Sequence, residues 1–367
     1  MPTVLYTAST FSHIAHFHLP YLRRFQELGW RVEVACGGAY HDIPFADEIL
    51  ALPLEKKMTA PANFRAARML RQRMMLGRYE LVITHTSLAA FFTRWAAKGL
   101  KHRPTIINVV HGYLFDDATS PAKKAILTAA EKLTAPETDL LLTMNDWDAR
   151  WAVTHSAGAK VALIPGMGVD EARFDGVNRL RSEMRQRLNL SDTDVALVYP
   201  AEFSARKNQS MLLRTLPKLP ENVKLLLPGQ GALLNECQAL ADTLGVAHRV
   251  TFPGQVTGIP AWLAAADIAV TSSRSEGLPF NVMEAMVCAL PTVATDVKGH
   301  SDLIDSGETG VLYPYDDENG FVQAVLPLIG DEALRRQMGE AAKRAVAPYT
   351  LTQALPVVMD TYLAALQ

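Results

Sequence analysis

A chain of 367 residues is longer than one compact core usually supports, so two domains are expected. Hydrophobic residues make up 49% and charged residues 20%, as in ordinary soluble globular proteins. A formal net charge of −2 disfavours bulk nucleic-acid binding, and no apolar run reaches transmembrane length.

The amino terminus, MPTVLYTAST, has no basic region before its short apolar run. It is therefore predicted to form a first strand and not a signal peptide. Cys36, Cys237 and Cys288 are scattered and lack metal-ligand spacing, which fits a reducing compartment. We expect a cytoplasmic protein.

Strand-like and helix-like segments alternate along the chain, which is typical of a parallel α/β fold. The first half contains the predicted strands TVLYTA, RVEVAC, LVITHT, TIINVVH and LLLTMN, with a helix from Leu19 to Leu28 after the first strand. The second half contains DVALVYPA, VKLLLPG, VTFPG, ADIAVTS and TVATD. A last helix is predicted from about Thr352 to Leu366.

Three histidines, His13, His16 and His18, follow the first predicted strand in what is expected to be a loop. Their close spacing raises the question of a metal site. No carboxylate or cysteine accompanies them, so no metal is expected.

Positive charge is concentrated between Lys56 and Arg103, a stretch with eleven basic residues and one acidic residue. Part of this stretch interleaves Phe64, Leu70, Met74 and Met75 with Arg65, Arg68, Arg71 and Arg73. A basic amphipathic helix of this kind can lie on an anionic membrane surface. The alternative is a solvated helix whose apolar side packs on its own domain.

His111 lies at the carboxyl end of the predicted strand in NVVHGYLF. A histidine there can bind a sugar hydroxyl and stabilise a transition state. The alternative is a structural histidine.

Arg206 and Lys207 follow the first strand of the second half, where they can neutralise a diphosphate. No DxD sequence lies in a strand-end loop, so these cations would replace a metal. Surface charge is the alternative. Gly229 and Gly231 in LLLPGQGALL fit either a tight turn or a nucleotide pocket.

The segment SRSEGLPFNVMEAMVCALP places Glu276 in a loop after a strand and Glu284 two turns into the next helix. Backbone amides at that helix start favour an anion such as a pyrophosphate. Helix capping is the alternative explanation for two such glutamates.

This segment resembles the E-x7-E signature of retaining glycosyltransferases of family 4, which have the GT-B fold of two facing Rossmann-like domains. The resemblance also covers His111, the crossover LIPGMGVDEARFD, Lys207 and the terminal helix, in family order. It implies an acceptor-binding domain at 1–170, a nucleotide-sugar-binding domain at 171–349, and a helix at 350–367 that crosses back onto the first domain.

The resemblance also implies residue roles. His111, Glu276 and Lys207 would be catalytic, and His13, His16 and His18 would contact the acceptor. Donor contacts would come from Arg206, Lys207, Gly229, Gly231, Val256, Glu276, Gly277, Leu278, Pro279 and Glu284. Within this set, Glu276 would bind the donor sugar and Glu284 the ribose. The sequence departs from the family at Glu202, where an arginine is usual, and lacks the usual glycine pair of the first loop.

The implied activity is metal-independent, retaining transfer of a hexose or N-acetylhexosamine from a UDP-sugar to a saccharide acceptor. The expected acceptor is a glycan linked to polyprenyl diphosphate, and the expected location is peripheral, at the inner face of the plasma membrane. The alternatives are a nucleotide-sugar epimerase of the same fold and a catalytically silent nucleotide-sugar-binding subunit.

Overall fold

The computed structural model describes residues 1–77 and 79–367. These residues form two compact units. The first unit contains Met1–Gly168 and Gln353–Gln367, and the second contains Val169–Thr352.

The first unit contains a seven-stranded parallel sheet in the spatial order β3-β2-β1-β4-β5-β6-β7. Its strands are β1 Thr3–Ala8, β2 Arg31–Cys36, β3 Glu48–Ala51, β4 Leu81–His85, β5 Thr105–Val109, β6 Leu140–Thr143 and β7 Lys160–Leu163. Its helices are α1 Phe11–Phe17, α2 Leu19–Glu27, α3 Pro61–Gly77, α4 Ser87–Ala97, α5 Pro121–Thr134 and α6 Asp146–Thr154. The order of the strands reverses between β1 and β4.

The second unit contains a six-stranded parallel sheet in the order β10-β9-β8-β11-β12-β13. Its strands are β8 Val195–Val198, β9 Val223–Leu226, β10 Val250–Thr251, β11 Ile268–Thr271, β12 Thr292–Thr295 and β13 Gly310–Tyr313. Its helices are α7 Arg181–Arg187, α8 Gln209–Thr215, α9 Leu234–Thr243, α10 Ile259–Ala265, α11 Phe280–Val287, α12 Glu318–Gly330 and α13 Glu332–Ala345. Here the order reverses between β8 and β11.

The last helix, α14 (Leu351–Ala364), returns the chain to the first unit. Tyr362 is fully buried, and its ring lies 6.3 Å from the rings of both Tyr21 and Phe25 on α2. Aromatic burial of this kind stabilises the contact through a large apolar area. The predicted α/β architecture with two Rossmann-like sheets and a returning helix is confirmed.

Sequence patterns missed three strands, β3, β7 and β13. All three lie at sheet edges and contain partly exposed residues. An edge strand is covered less fully than a central strand, so it does not need a continuous apolar run. The central strand β1, by contrast, is buried at every position.

Two local predictions are wrong. His13 and His16 lie on helix α1 and not in a loop, and the Thr10 side chain caps this helix by accepting a hydrogen bond from the His13 amide. Glu284 is the fifth residue of α11, so it lies just over one turn into the helix and not two. None of the helices formed by residues 1–77 and 79–367 is long and apolar enough to cross a membrane.

Candidate functional site

The loops after β8 and β11 meet where the strand order of the second sheet reverses. In a parallel sheet, the carboxyl ends of neighbouring strands share one edge, and ligands bind in the crevice at such a reversal. The loop after β8 carries Arg206 and Lys207, and the loop after β11 carries Glu276. The fold therefore brings these three predicted residues together.

Glu276 forms ion pairs with two cations. Lys207 Nζ donates to Glu276 Oε1 over 2.7 Å, and Arg206 Nη1 lies 2.8 Å from the same oxygen. Burial alone would raise the pKa of Glu276. The positive charges of Lys207 and Arg206 have the larger, opposite effect and lower this pKa to about 2. The carboxylate is therefore ionised at neutral pH, next to a buried ammonium and a half-exposed guanidinium.

Hydroxyl groups fix the two loops to each other. Tyr199 Oη lies 2.7 Å from Ser273 Oγ, and Ser272 Oγ donates to the Lys207 carbonyl over 2.9 Å. Thr295 Oγ1, at the end of β12, donates to the Ser273 carbonyl over 2.6 Å. These buried bonds position the backbone on either side of the Lys207–Glu276 pair, so its geometry is set by the sheet.

His300 follows β12 at the same sheet edge, and sequence reasoning missed it. It is fully buried, its Nδ1 lies 2.9 Å from the Thr295 carbonyl, and its Nε2 has no partner among the described residues. Burial lowers the pKa of His300 to about 4 although the Glu276 carboxylate opposes the shift. The feature of the sequence that could have indicated His300 is its position in DVKGH, the loop that continues from the predicted strand TVATD.

Gly299 lets the His300 loop approach the Glu276 loop. It has a φ of +84°, and a Cβ there would lie 2.7 Å from the Gly277 carbonyl oxygen. The predicted donor residues Gly277, Leu278 and Pro279 form a buried turn before α11. This turn leads from Glu276 into the helix that carries Glu284.

Glu284 pairs with a residue that the sequence did not suggest. Arg173 Nη1 lies on the short helix Glu171–Phe174 within the crossover segment, 3.4 Å from Glu284 Oε1. Burial raises the pKa of Glu284 to about 7, against an opposing effect of Arg173. Glu284 therefore changes its charge near neutral pH.

Gly229 and Gly231 are explained by loop packing. A Cβ on Gly229 would overlap the Ala201 carbonyl oxygen, and one on Gly231 would overlap the Phe203 backbone. The Gly229 amide donates to the Gly254 carbonyl over 2.9 Å, which brings the loop after β9 beside the loop that carries partly exposed Val256. The tight-turn interpretation thus accounts for both glycines, and nucleotide contact stays a prediction.

In the first unit, His111 lies among other histidines. β1, β4 and β5 are neighbours, so His85 at the end of β4 and His111 just after β5 share an edge with His13 and His18. His85 Nδ1 lies 3.0 Å from His111 Nε2, and the rings of His13 and His111 are 4.6 Å apart. Sequence reasoning missed His85. The signal was its position at the end of the strand LVITH, which is comparable to the position of His111 after its own strand.

His16 does not join this group. It is exposed, and its Nδ1 lies 2.6 Å from the Ser12 carbonyl. Burial lowers the pKa of His13 to about 4 and lowers those of His18, His85 and His111 well below the usual value. These four imidazoles are therefore neutral at neutral pH.

The basic helix is α3, and its four arginines do not share one outward face. Arg71 Nη1 donates to the Lys98 carbonyl over 2.7 Å, and Arg73 pairs with Glu33 at 2.8 Å. Leu70 and Met74 belong to the buried core of the first unit. The expectation of an outward set of four arginines is therefore corrected: Arg65 and Arg68 are exposed, together with Phe64, Met75 and Leu76.

Comparison with known proteins places the chain in a class. A Glycosyl transferase 4-like domain matches residues 18–166, and Glycosyl transferases group 1 matches residues 181–345. EpsD, a protein of Bacillus subtilis (strain 168) that bears a glycosyltransferase name, is 30% identical over 365 residues, which cover 98% of this chain and 96% of EpsD. The fold, the site and these matches define a glycosyltransferase. The chain belongs to the family 4 glycosyltransferases of GT-B fold.

The chain also resembles a second sequence relative and a solved structure. The UDP-Gal:alpha-D-GlcNAc-diphosphoundecaprenol alpha-1,3-galactosyltransferase of Escherichia coli is 23% identical over 296 residues, 78% of this chain and 76% of the relative. The crystal structure of Anabaena HepE in complex with UDP-glucose matches with a TM-score of 0.78 and 17% identity, over 99% of this chain and 100% of HepE. At that identity, HepE supports the fold alone.

Proposed function

We propose that this glycosyltransferase moves a hexose or N-acetylhexosamine from a UDP-sugar to a saccharide acceptor with retention of anomeric configuration. The observation that carries the proposal is the buried Lys207–Glu276 pair, with Arg206 beside it, where the strand order of the second sheet reverses. A buried lysine and an adjacent arginine suit the diphosphate of a sugar nucleotide, whose negative charge grows as the sugar leaves. HepE, a structural neighbour, is in complex with UDP-glucose.

In this mechanism, Lys207 and Arg206 turn from Glu276 to the diphosphate when the donor binds, and no divalent ion is needed there. Glu276 then accepts a hydrogen bond from a hydroxyl of the donor sugar. Glu284 accepts hydrogen bonds from the ribose hydroxyls, with the buried turn Gly277–Pro279 beside the phosphates. Each of these steps uses a carboxylate or a cation that the structure already positions.

Transfer breaks the bond between the anomeric carbon and the phosphate oxygen and forms a bond from an acceptor hydroxyl oxygen to that carbon. Attack on the same face gives retention, and the acceptor proton passes to the departing phosphate oxygen. UDP leaves with the electron pair of the broken bond. His111, neutral at neutral pH, binds a sugar hydroxyl during transfer, and His13, His16 and His18 are proposed acceptor contacts.

The proposed acceptor is a sugar on polyprenyl diphosphate, as in the name of the Escherichia coli relative. The protein would work as a peripheral protein at the cytoplasmic face of the plasma membrane. The exposed face of α3 supports this location, because Phe64, Met75 and Leu76 are apolar and lie beside Arg65 and Arg68.

A panel of UDP- and GDP-sugars tests the proposal. We expect a UDP-hexose or UDP-N-acetylhexosamine to raise the melting temperature most and to be hydrolysed slowly to UDP, with faster UDP release when a polyprenyl-diphosphate sugar is added. The anomeric configuration of the product, read by NMR, should match that of the donor. Release of an epimerised sugar would identify an epimerase, and binding without turnover of any donor would identify a silent subunit.

A further inference from the structure

Four histidines of the first unit form a group, here called the histidine cluster: His13, His18, His85 and His111. One ring nitrogen of each lies within 4.8 Å of those of the other three. The residues come from α1, from the position after α1, from the end of β4 and from just after β5. The cluster therefore lies where the strand order of the first sheet reverses, which is where α/β proteins bind ligands.

Several nitrogen atoms of the cluster are buried without a partner among residues 1–77 and 79–367. They are both ring nitrogens of His18, Nε2 of His85 and Nε2 of His13. His18 and His85 are fully buried. Buried polar side-chain atoms normally have a hydrogen-bond partner. Each neutral imidazole has one N–H and one lone pair, so at most one nitrogen of each ring can bind an ion. Unpartnered nitrogens on three rings of one group therefore point to a ligand that binds imidazole nitrogen.

We propose that the histidine cluster binds a zinc ion. Imidazole nitrogen is a good ligand for zinc and its transition-metal neighbours, whereas magnesium and calcium prefer oxygen. Zinc accepts four protein ligands in a tetrahedron and has no geometric preference of its own from d electrons. The histidine cluster supplies four imidazoles, which come from the segments that follow or end the three adjacent strands β1, β4 and β5.

The spacing of the nitrogens fits with small movements. Zinc–nitrogen bonds of about 2.0–2.1 Å place the nitrogens of a tetrahedron about 3.4 Å apart. Because the cluster nitrogens already lie within 4.8 Å of one another, binding requires any two of them to close by no more than about 1.4 Å. His85 Nδ1 and His111 Nε2 form a hydrogen bond at 3.0 Å, so an ion bound to both nitrogens would take the place of the proton between them.

Access also favours a metal. His13 and His111 are partly exposed, so an ion can enter from solvent. The same opening would admit a small anion next to the cluster, where it would offset the positive charge that no carboxylate of the cluster balances.

This proposed zinc site differs from the proposed diphosphate site of the second unit. The zinc site would bind a metal ion through imidazole nitrogens, whereas Arg206 and Lys207 would bind a diphosphate as cations. Zinc binding does not rest on sugar transfer, although His13, His18 and His111 belong to both proposals. Metal content is therefore measured directly, and its result stands whatever the transfer assay shows.

The test uses the full chain without a polyhistidine tag, stripped of metal by a chelator, incubated with zinc chloride and desalted. Elemental analysis should find about one zinc ion per chain, the number that a single tetrahedral site holds. His13→Ala and His18→Ala should each weaken zinc binding at least about tenfold, since each removes a ligand. His16→Ala is the matched control, because His16 lies on the same helix but is exposed and contacts the Ser12 carbonyl.

Cobalt substitution keeps the test sharp if a variant fails to fold. Wild-type protein loaded with Co²⁺ should show the strong visible absorption of a tetrahedral site with nitrogen ligands. Weak, six-coordinate absorption would overturn the proposal. So would wild-type protein that retains no zinc, or a His16→Ala variant that loses as much zinc as His18→Ala, since the four histidines would then be a water-bridged network or adventitious binders.

Discussion

Lys207 Nζ donates to Glu276 Oε1 over 2.7 Å although the two residues are 69 positions apart. The pair exists because β8 and β11 are neighbours in the sheet, so their following loops share an edge. The buried carboxylate neutralises the buried ammonium. A diphosphate would replace the carboxylate as the partner of Lys207 and free Glu276 for a sugar hydroxyl.

Lys207→Ala is expected to lower the turnover number about a hundredfold or more, on the scale of a lost oxyanion stabiliser. Arg206 stays beside Glu276, so the variant should still fold. Steady-state kinetics with the preferred UDP-sugar measures the effect. Lys218→Ala is the control, because Lys218 pairs with Glu318 on the surface of the same unit. A turnover number for Lys207→Ala equal to that of the control would remove Lys207 from the mechanism.

That Lys207 and Glu276 lie at one site could be predicted from sequence, whereas the contact of Arg173 with Glu284 and the place of His300 near Glu276 could not. A glutamate in a turn after an apolar strand, and cations after another strand, identify the edge at which loops meet. Arg173, in contrast, is 111 positions from Glu284 and carries no local pattern that indicates the contact. His300 was missed because a buried histidine in a loop resembles any other loop residue until the neighbouring strands are placed.

The histidine cluster also could not be predicted from the sequence alone, because its members come from distant segments. His13, His16 and His18 are close in sequence, and their spacing suggested one group. Helix α1 separates them, since the His16 side chain is exposed while His18 is buried. The histidines that complete the cluster, His85 and His111, arrive with β4 and β5, and the pairing of these strands is a tertiary property that single-strand patterns do not specify.

Glu284→Ala is expected to weaken UDP binding by about 3 kcal/mol, the loss of two hydrogen bonds to a carboxylate. The turnover number should fall with it, because the same contacts hold the donor during transfer. Isothermal titration calorimetry with UDP measures the first effect. An unchanged dissociation constant would show that Glu284 does not contact the nucleotide.

The pKa of Glu284, about 7, also predicts a pH dependence. The ionised carboxylate can accept hydrogen bonds from two ribose hydroxyls, whereas the protonated carboxyl group accepts fewer hydrogen bonds. Binding should therefore weaken as the pH falls through this pKa, by up to about tenfold between pH 8 and pH 6. UDP-glucose is the better ligand here, since its diphosphate does not titrate in this range. The Glu284→Gln variant should show a flat profile, and an equally steep one would assign the titration to another group.

His111→Ala should leave UDP binding nearly intact while it lowers sugar transfer strongly, because His111 is proposed to contact a sugar and not the nucleotide. A group that acts as a general acid or base, or that binds a reacting hydroxyl, contributes about a hundredfold or more to the rate of transfer. Calorimetry with UDP and a transfer assay separate the two effects. His102→Ala, an exposed histidine of the same unit, is the control. Equal damage to UDP affinity and transfer would indicate a folding role for His111.

The last prediction concerns the exposed face of α3. Each basic residue near an anionic membrane contributes about 1 kcal/mol, screened over about a Debye length of salt. Arg65 and Arg68 lie beside exposed apolar Phe64, Met75 and Leu76, whereas Arg73 is paired with Glu33 and is less available to lipid. The protein should therefore sediment with anionic vesicles at low salt and be released at high salt.

The exposed arginines and the paired arginine should behave differently in this assay. Arg65→Gln with Arg68→Gln should abolish sedimentation, because the charged part of the face is lost while the core side of the helix, with Leu70 and Met74, is untouched. Arg73→Gln should lower the melting temperature, since it leaves Glu33 without this partner, and should alter vesicle binding little. Lys343→Gln with Arg344→Gln, exposed on α13 of the second unit, controls for net charge. If wild-type protein stays in the supernatant at low salt, α3 does not contact the membrane and the acceptor reaches the enzyme from solution. If the control double variant loses binding equally, net charge and not α3 holds the protein on the vesicles.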